Sequence, residues 1–336
     1  MLRNVLVLLL ALLPWATCTV QAQAAPAAYG PRLEGFDYPY ALKTYRFDSQ
    51  RQRLEMVYMD IAPQGLGNGR TVLLLHGKNF CGATWQATIS ALSNAGYRVV
   101  VPDQIGFCKS SKPQHYQFSF AQLAANTYAL LKSLGIQRAV VAGHSMGGML
   151  AARYALQYPQ ATEHLVMINP IGLEDWKAKG VPWRDLGDLY TSELATDFEQ
   201  IKRYQLQVYY DQQWRPDYDR WVAMLAGMYA GPGKQLVAWN QALTSDMVFN
   251  QPVLYEFGAI RTPTTLFIGQ KDRTAIGRDR APAQLKDQLG DYPTLGRRAA
   301  KAIPNASLIE FSELGHSPQV QDSARFNTAL LKALAR

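Results

Sequence analysis

Ser145 lies in Gly143-His144-Ser145-Met146-Gly147, a G-x-S-x-G run between an apolar stretch at 139–142 and a helix-like stretch that begins at Gly148. That order reads as strand, sharp turn, helix, the setting in which this motif lifts a serine hydroxyl out of the backbone. The first N–H groups of the following helix and its positive dipole end then face any oxygen that becomes negative at the serine. A serine hydroxyl is a weak nucleophile until a base takes its proton, and a histidine base works best when a carboxylate fixes its tautomer. Serine, acid and histidine in that chain order is one of the recurring solutions.

Five histidines compete for the base: His76, His115, His144, His164 and His316. His144 is beside the serine and points elsewhere on the turn, His76 ends an earlier strand, and His115 and His164 fall in a loop and at a helix–strand junction. His316, in Gly315-His316-Ser317-Pro318, follows the last expected strand and is the candidate base. Asp272, in Gly269-Gln270-Lys271-Asp272-Arg273, follows the preceding strand and is the candidate acid. Both positions are at the carboxyl edge of a parallel sheet, where open α/β folds gather ligands. Among rival acids, Asp103 is expected to brace its own turn, Asp175 follows another strand, and Asp246 lies in a helical stretch. The charges of Lys271 and Arg273 are expected to favour ionised Asp272. An oxyanion needs backbone donors. Met146 N–H is one, and the turn His76-Gly77-Lys78-Asn79 offers a second, from Lys78 or alternatively Asn79.

These residues must be positioned by a repeating βα pattern. Strands are expected at 71–75, 97–101, 139–142, 165–168, 265–268 and 307–311, with helices at about 84–95, 120–134, after Ser145, and 324–334. Short continuous apolar strands alternating with helices imply a parallel sheet covered on both faces. Before them, 40–47 and 54–61 alternate as a hairpin. From 172 to 260 the pattern breaks into helix-like sequence that holds five of the seven tryptophans, Trp176, Trp183, Trp214, Trp221 and Trp239. This insertion is expected to cap the sheet edge, with most aromatics in its own core and a subset lining an apolar pocket.

Composition is that of an ordinary globular protein, 48% hydrophobic and 18% charged over 336 residues. The net charge of +8 is scattered, with no basic run interleaved with aromatics, so no nucleic-acid partner is expected. H-E-x-x-H and C-x-x-C spacings are absent, Gly233-Lys234 lacks P-loop spacing, and Gly65-Leu66-Gly67-Asn68-Gly69 precedes a strand rather than opening a helix. Neither metal nor cofactor is expected. Residues 1–24 have a basic start, an apolar run at 5–16 and an Ala22-Gln23-Ala24 exit, the pattern of a cleavable export signal. The run is shorter than the ~20 residues that span a bilayer. The expectation is a periplasmic or secreted protein with no membrane span in the mature chain; Trp15-Ala16-Thr17 argues against lipid attachment at Cys18. Cys81 and Cys108 remain after cleavage, either as a bridge or as two buried thiols.

Taken together, His76-Gly77, the run 102–110, Gly143–Gly147, Gly269 to Asp272 and Gly315-His316 resemble the α/β-hydrolase superfamily. The likeness is to its capped group of esterases, epoxide hydrolases, haloalkane dehalogenases and carbon–carbon bond hydrolases. It covers nearly everything from Tyr40 onward. It implies a mostly parallel eight-stranded sheet with helices on both faces and a helical cap inserted after strand 6. The expected divisions are 1–24 signal, 25–171 first core part, 172–260 cap and 261–336 second core part. By this resemblance Ser145 is the nucleophile, Asp272 the acid and His316 the base. The run 102–110 departs from the usual G-x-G-x-S in carrying Cys108 where glycine is common. The resemblance also makes the strands ending at His76 and near Pro102 sheet neighbours, which implies a Cys81–Cys108 disulfide. Serine rather than aspartate at 145 argues for acyl transfer over epoxide or haloalkane chemistry. The expected activity is hydrolysis of small carboxylic esters with an apolar or aromatic moiety. Amide, thioester, lactone and carbon–carbon bond substrates stay open, as does a slow ligand-binding role, and oligomeric state is not read.

Overall fold

The computed structural model describes residues 27–335. The stretch 1–24 that reads as an export signal, with Cys18, lies outside the described residues. Eight strands form one sheet in the order β1-β2-β4-β3-β5-β6-β7-β8. β1 (Leu42–Ser49) and β2 (Gln52–Ile61) make the hairpin, and β2 runs antiparallel to β4 (Arg98–Pro102). β3 (Thr71–Leu75), β4, β5 (Ala139–His144), β6 (Thr162–Ile168), β7 (Thr264–Gly269) and β8 (Ala306–Phe311) are parallel.

The alternation along each strand sorts the core into two layers. On one face Val72 and Leu74 of β3 and Val140 and Ala142 of β5 pack with α1 (Gln86–Asn94) and α11 (Ser323–Leu334), through Ile89, Leu92, Phe326 and Leu330. On the other, Leu73, Leu75 and Val141 meet α2 (Phe120–Ser133), α3 (Met146–Gln157) and α9 (Tyr292–Ala302) through Leu123, Leu150 and Leu295. Burying both faces explains why these strands read as continuous apolar runs. Helix α2 begins at Ser119, whose side chain accepts the Gln122 N–H as an N-cap.

Two helices depart most from what the sequence implies. The stretch read as a helix from 84 opens with a 3-10 turn at Gly82–Trp85, and α1 proper starts at Gln86. Helix α9, between β7 and β8, is absent from that reading. It buries Tyr292, Leu295, Gly296 and Ala299, a 3–4 spaced stripe.

Between β6 and β7 the described chain is helical: α4 (Leu186–Leu194), α5 (Phe198–Tyr204), a π-helical turn (Gln205–Tyr209), α6 (Asp219–Ala230) and α7 (Lys234–Asn250). Asp185 and Asp197 cap α4 and α5. Two short helices, α8 (Ala283–Lys286) and α10 (Pro318–Gln321), complete the set.

Candidate active site

Ser145 stands between β5 and α3 with φ 59° and ψ −121°. This left-handed backbone costs on the order of 1–3 kcal/mol in a non-glycine residue and must be held by its surroundings. The neighbours show how. A Cβ on Gly143 would fall 1.9 Å from the Gly147 carbonyl oxygen, and one on Gly147 would fall 2.3 Å from that of Leu75. The two glycines of the motif therefore let strand, turn and β3 close on one another. The Ser145 carbonyl takes the N–H groups of Gly148 at 2.9 Å and Ile171 at 3.2 Å, and Ser145 N–H donates to Ile168 O at 3.0 Å.

Asp272 and His316, at the ends of β7 and β8, are both fully buried. His316 Nδ1–H donates to Asp272 Oδ2 at 2.6 Å, with the Thr274 hydroxyl oxygen 3.1 Å from the same nitrogen. Asp272 Oδ1 accepts the Thr274 N–H at 2.8 Å and the Thr274 hydroxyl at 2.6 Å, and Oδ2 also accepts from Asn169 Nδ2 at 3.0 Å. Asn169 also spans to Gly269, accepting its N–H at 2.8 Å and donating to its carbonyl at 3.2 Å. The flanking cations act elsewhere: Lys271 faces Asp211 at 3.6 Å and Arg273 faces Asp291 at 4.0 Å, all exposed. Neutral donors, rather than the adjacent charges read from the sequence, hold this carboxylate. With Nδ1 engaged, His316 Nε2 is buried and has no hydrogen-bond partner among the described residues.

His144 ties the serine turn to His316. Its Nε2–H donates to the His316 carbonyl at 2.8 Å, and the two rings lie 4.8 Å apart. The sequence implies that His144 points away from the site; the structure turns it onto His316, a residue so far along the chain that no local signal marks the contact.

The turn after β3 passes directly under the serine. A Cβ on Gly77 would lie 2.8 Å from Ser145 Cβ, so only glycine fits there. Lys78 N–H has no acceptor among the described residues, and its ammonium is drawn away to Glu193 at 3.0 Å and Gln241 at 2.9 Å. Met146 opens α3, where the first N–H groups lack intrahelical acceptors. The Asn79 amide is engaged with Tyr209 Oη at 3.0 Å. Two backbone donors thus flank the serine, with Asn79 tied to the helical segment.

Cys81 and Cys108 are joined in a disulfide with Cα atoms 5.8 Å apart, linking the turns after β3 and β4. Cys108 has φ 46°, so the backbone keeps the left-handed form that glycine would favour at this position. Asp103 braces the same turn as expected, accepting from Gly82 N–H at 2.8 Å, Tyr38 hydroxyl at 2.7 Å and Lys109 N–H at 3.1 Å. His76, Asp103 and Cys108 bring three potential metal donors within 4.8 Å of one another. None is free: the sulfur is in the disulfide, Asp103 is occupied, and His76 donates Nδ1–H to Gly77 O and accepts Gln104 N–H at Nε2. Asp175, the rival acid, accepts from Tyr255 hydroxyl and Ala178 N–H on the surface.

Beside the Lys78 turn is a cavity of about 310 Å³ lined by Lys78, Asn79, Glu193, Tyr204, Tyr229 and Ser245, among others. Its aromatic walls are tyrosines. Of the five tryptophans of the helical segment none lines it, Trp176 being buried and Trp183 58% exposed.

A family model described as the alpha/beta hydrolase fold matches residues 70–323. The chain belongs to the α/β-hydrolase family. Within it, a solved structure of a probable hydrolytic enzyme from Pseudomonas aeruginosa PAO1 is 60% identical. It superposes with a TM-score of 0.91 and covers 92% of this chain and 99% of that one. The 2-hydroxymuconate semialdehyde hydrolase of Pseudomonas putida is 26% identical over 274 residues, 77% of this chain and 85% of that protein. The 2-hydroxy-6-oxononadienedioate/2-hydroxy-6-oxononatrienedioate hydrolase of Comamonas testosteroni is 26% identical over 275 residues, 80% and 89% respectively. As an α/β-hydrolase with hydrolase relatives, the chain is a hydrolase, and its family points to a small-molecule substrate. No helix among the described residues is long and apolar enough to cross a membrane.

Proposed function

We propose that this α/β-hydrolase is an exported serine hydrolase that cleaves carboxylic esters through an acyl-enzyme on Ser145. The observation that carries the reading is His316: Nδ1 is fixed on Asp272 at 2.6 Å, while buried Nε2 is left without a partner at the edge where Ser145 is held in a strained turn. In this reading His316 Nε2 takes the Ser145 proton as Oγ attacks the ester carbonyl. The oxygen that becomes negative is met by Met146 and Lys78 N–H groups, a donor pair of the kind worth ~3–4 kcal/mol each. Collapse expels the alcohol with the proton from His316, and water activated by the same nitrogen releases the acid.

Residues 172–260 act as the cap in this proposal. They line the cavity with Glu193, Thr196, Gln200 and Ser245 among the more apolar Ile201, Tyr204, Leu225 and Tyr229. An apolar or aromatic substrate moiety that also carries hydrogen-bonding groups fits this lining. Export is supported by the pattern of residues 1–24 and by the Cys81–Cys108 bridge, which persists in oxidising compartments.

Ser145→Ala should abolish hydrolysis of short p-nitrophenyl esters and labelling by a fluorophosphonate, with the fold retained by circular dichroism. The two relatives named for semialdehyde and dienedioate substrates favour carbon–carbon bond cleavage as a second reading. Turnover of a vinylogous 1,5-diketone in preference to esters would select it. Absence of any Ser145-dependent turnover on an ester, amide, thioester, lactone and diketone panel would leave a ligand-binding role instead.

A further inference from the structure

The π-helical turn Gln205–Tyr209 is fastened to three loops at once. Val208 O accepts the Arg273 N–H at 3.2 Å on the loop of Asp272, and Tyr209 O accepts the His316 N–H at 2.9 Å. A Cβ on Gly315 would lie 1.9 Å from that Tyr209 oxygen, so the approach is built into the chain. The Tyr209 ring stacks on the His316 imidazole, centroids 4.2 Å apart and planes inclined 26°. Its hydroxyl accepts from Asn79 on the oxyanion turn at 3.0 Å, and the Phe80 ring of that turn stacks on it at 6.0 Å. π-Helical turns are rare and concentrate at functional sites.

We infer that Tyr209 is a positioning residue of the proposed reaction: its ring holds the His316 imidazole, and its hydroxyl holds the oxyanion turn. The inference rests on the serine-hydrolase reading of Ser145 and His316. The imidazole is hydrogen-bonded only at Nδ1, so it can pivot about that bond unless a face is covered. Tyr209 covers one face. When His316 carries the serine proton, the imidazolium lies over the electron-rich face of a tyrosine ring, an arrangement that favours the cation. A residue of the helical segment thereby sets the geometry of groups contributed by two separate strand ends.

Tyr209→Leu and Tyr209→Phe separate ring from hydroxyl, read by kcat and KM on p-nitrophenyl butyrate and by the rate of fluorophosphonate labelling. The Leu variant should lose about tenfold in kcat and in labelling rate with KM within about twofold, since misplaced catalytic groups cost rate rather than binding. Phe should restore most of that, leaving about a two- to threefold deficit for the lost Asn79 contact. Wild-type kcat in the Leu variant, or a raised KM with kcat unchanged, overturns the inference, and so does a Phe variant as slow as Leu. If Leu does not fold, Tyr209→Met supplies a flexible side chain without a π face and is held to the same outcomes. Wild-type protein and Ser145→Ala are run beside them. Failure of the wild type to label at all sinks the serine-hydrolase reading, whereas labelling that is indifferent to Tyr209 sinks only this inference.

Discussion

His144, the residue before Ser145, donates its Nε2–H across 2.8 Å to the carbonyl of His316. Burial, reinforced by the neighbouring His316, holds His144 well below the ordinary histidine value, so the ring is neutral and its proton sits on the nitrogen that faces the carbonyl. The bond ties the end of β5 to the loop after β8 through the His316 backbone.

Replacing His144 with Phe keeps an aromatic ring among Phe80 and Trp85, 5.2 and 6.3 Å away, and removes the donor. A buried carbonyl left unpaired costs about 1–3 kcal/mol, the loss expected by urea denaturation. Fluorophosphonate labelling of Ser145 should slow as well, because the His316 backbone is released. Unchanged stability and labelling would show the tether to be dispensable.

Thr274→Val removes one hydroxyl from the Asp272 carboxylate with little change of shape, and Asn169→Ala removes another donor together with the link to Gly269. Hydrogen bonds to a charged group are worth roughly 1.5–3 kcal/mol, so kcat should fall about 10- to 100-fold in each. Reversing the charges of Lys271 and Arg273, whose partners are other acids, should leave kcat within about threefold. The opposite ranking would restore the adjacent cations as what holds Asp272.

Titration of unfolded, unreduced mature protein should find no free thiol at Cys81 or Cys108. Removing the bridge by Cys81→Ser and Cys108→Ser should cost about 2–4 kcal/mol in unfolding free energy. Two titratable thiols would remove the disulfide.

Lys112 is buried with Nζ donating to Cys108 O at 2.5 Å, and burial lowers its amine to about 7 from the ordinary 10.5. Below about 7 both folded and unfolded chains carry the proton, and the cost of burying the charge is present in full. Between about 7 and 10.5 only the unfolded chain binds it, so stability rises with pH across that window. The unfolding free energy of wild type relative to Lys112→Met should therefore increase by roughly 2–4 kcal/mol from pH 7 to pH 10. A difference that stays flat over this range would contradict the shift.

The inner parallel strands β3, β5 and β7 were legible in the sequence because burial on both faces writes them as short apolar runs, and Ser145, Asp272 and His316 stand in turn motifs at strand ends. Helix α9 was legible in principle, since Tyr292, Leu295, Gly296 and Ala299 keep helical spacing. What stayed hidden is contact between residues distant along the chain. Nothing near Tyr209 announces a ring against His316, and nothing near Lys271 or Arg273 shows that their charges are spent on Asp211 and Asp291. The left-handed Cys108 was flagged by its departure from glycine, though only the structure shows that a cysteine takes the same backbone form.

Strand β8 is an edge strand, joined to the sheet through β7 alone, and the loop after it carries His316. The candidate base thus arrives with the outermost strand, while Ser145 belongs to the middle of the sheet. A chain in which the central strands had paired but β8 had not yet docked would present a serine with no base. Catalytic competence should then require that pairing, so that a chain whose β8 has not docked is chemically silent. In refolding experiments, the return of labelling at Ser145 would serve as a clock for the docking of β8.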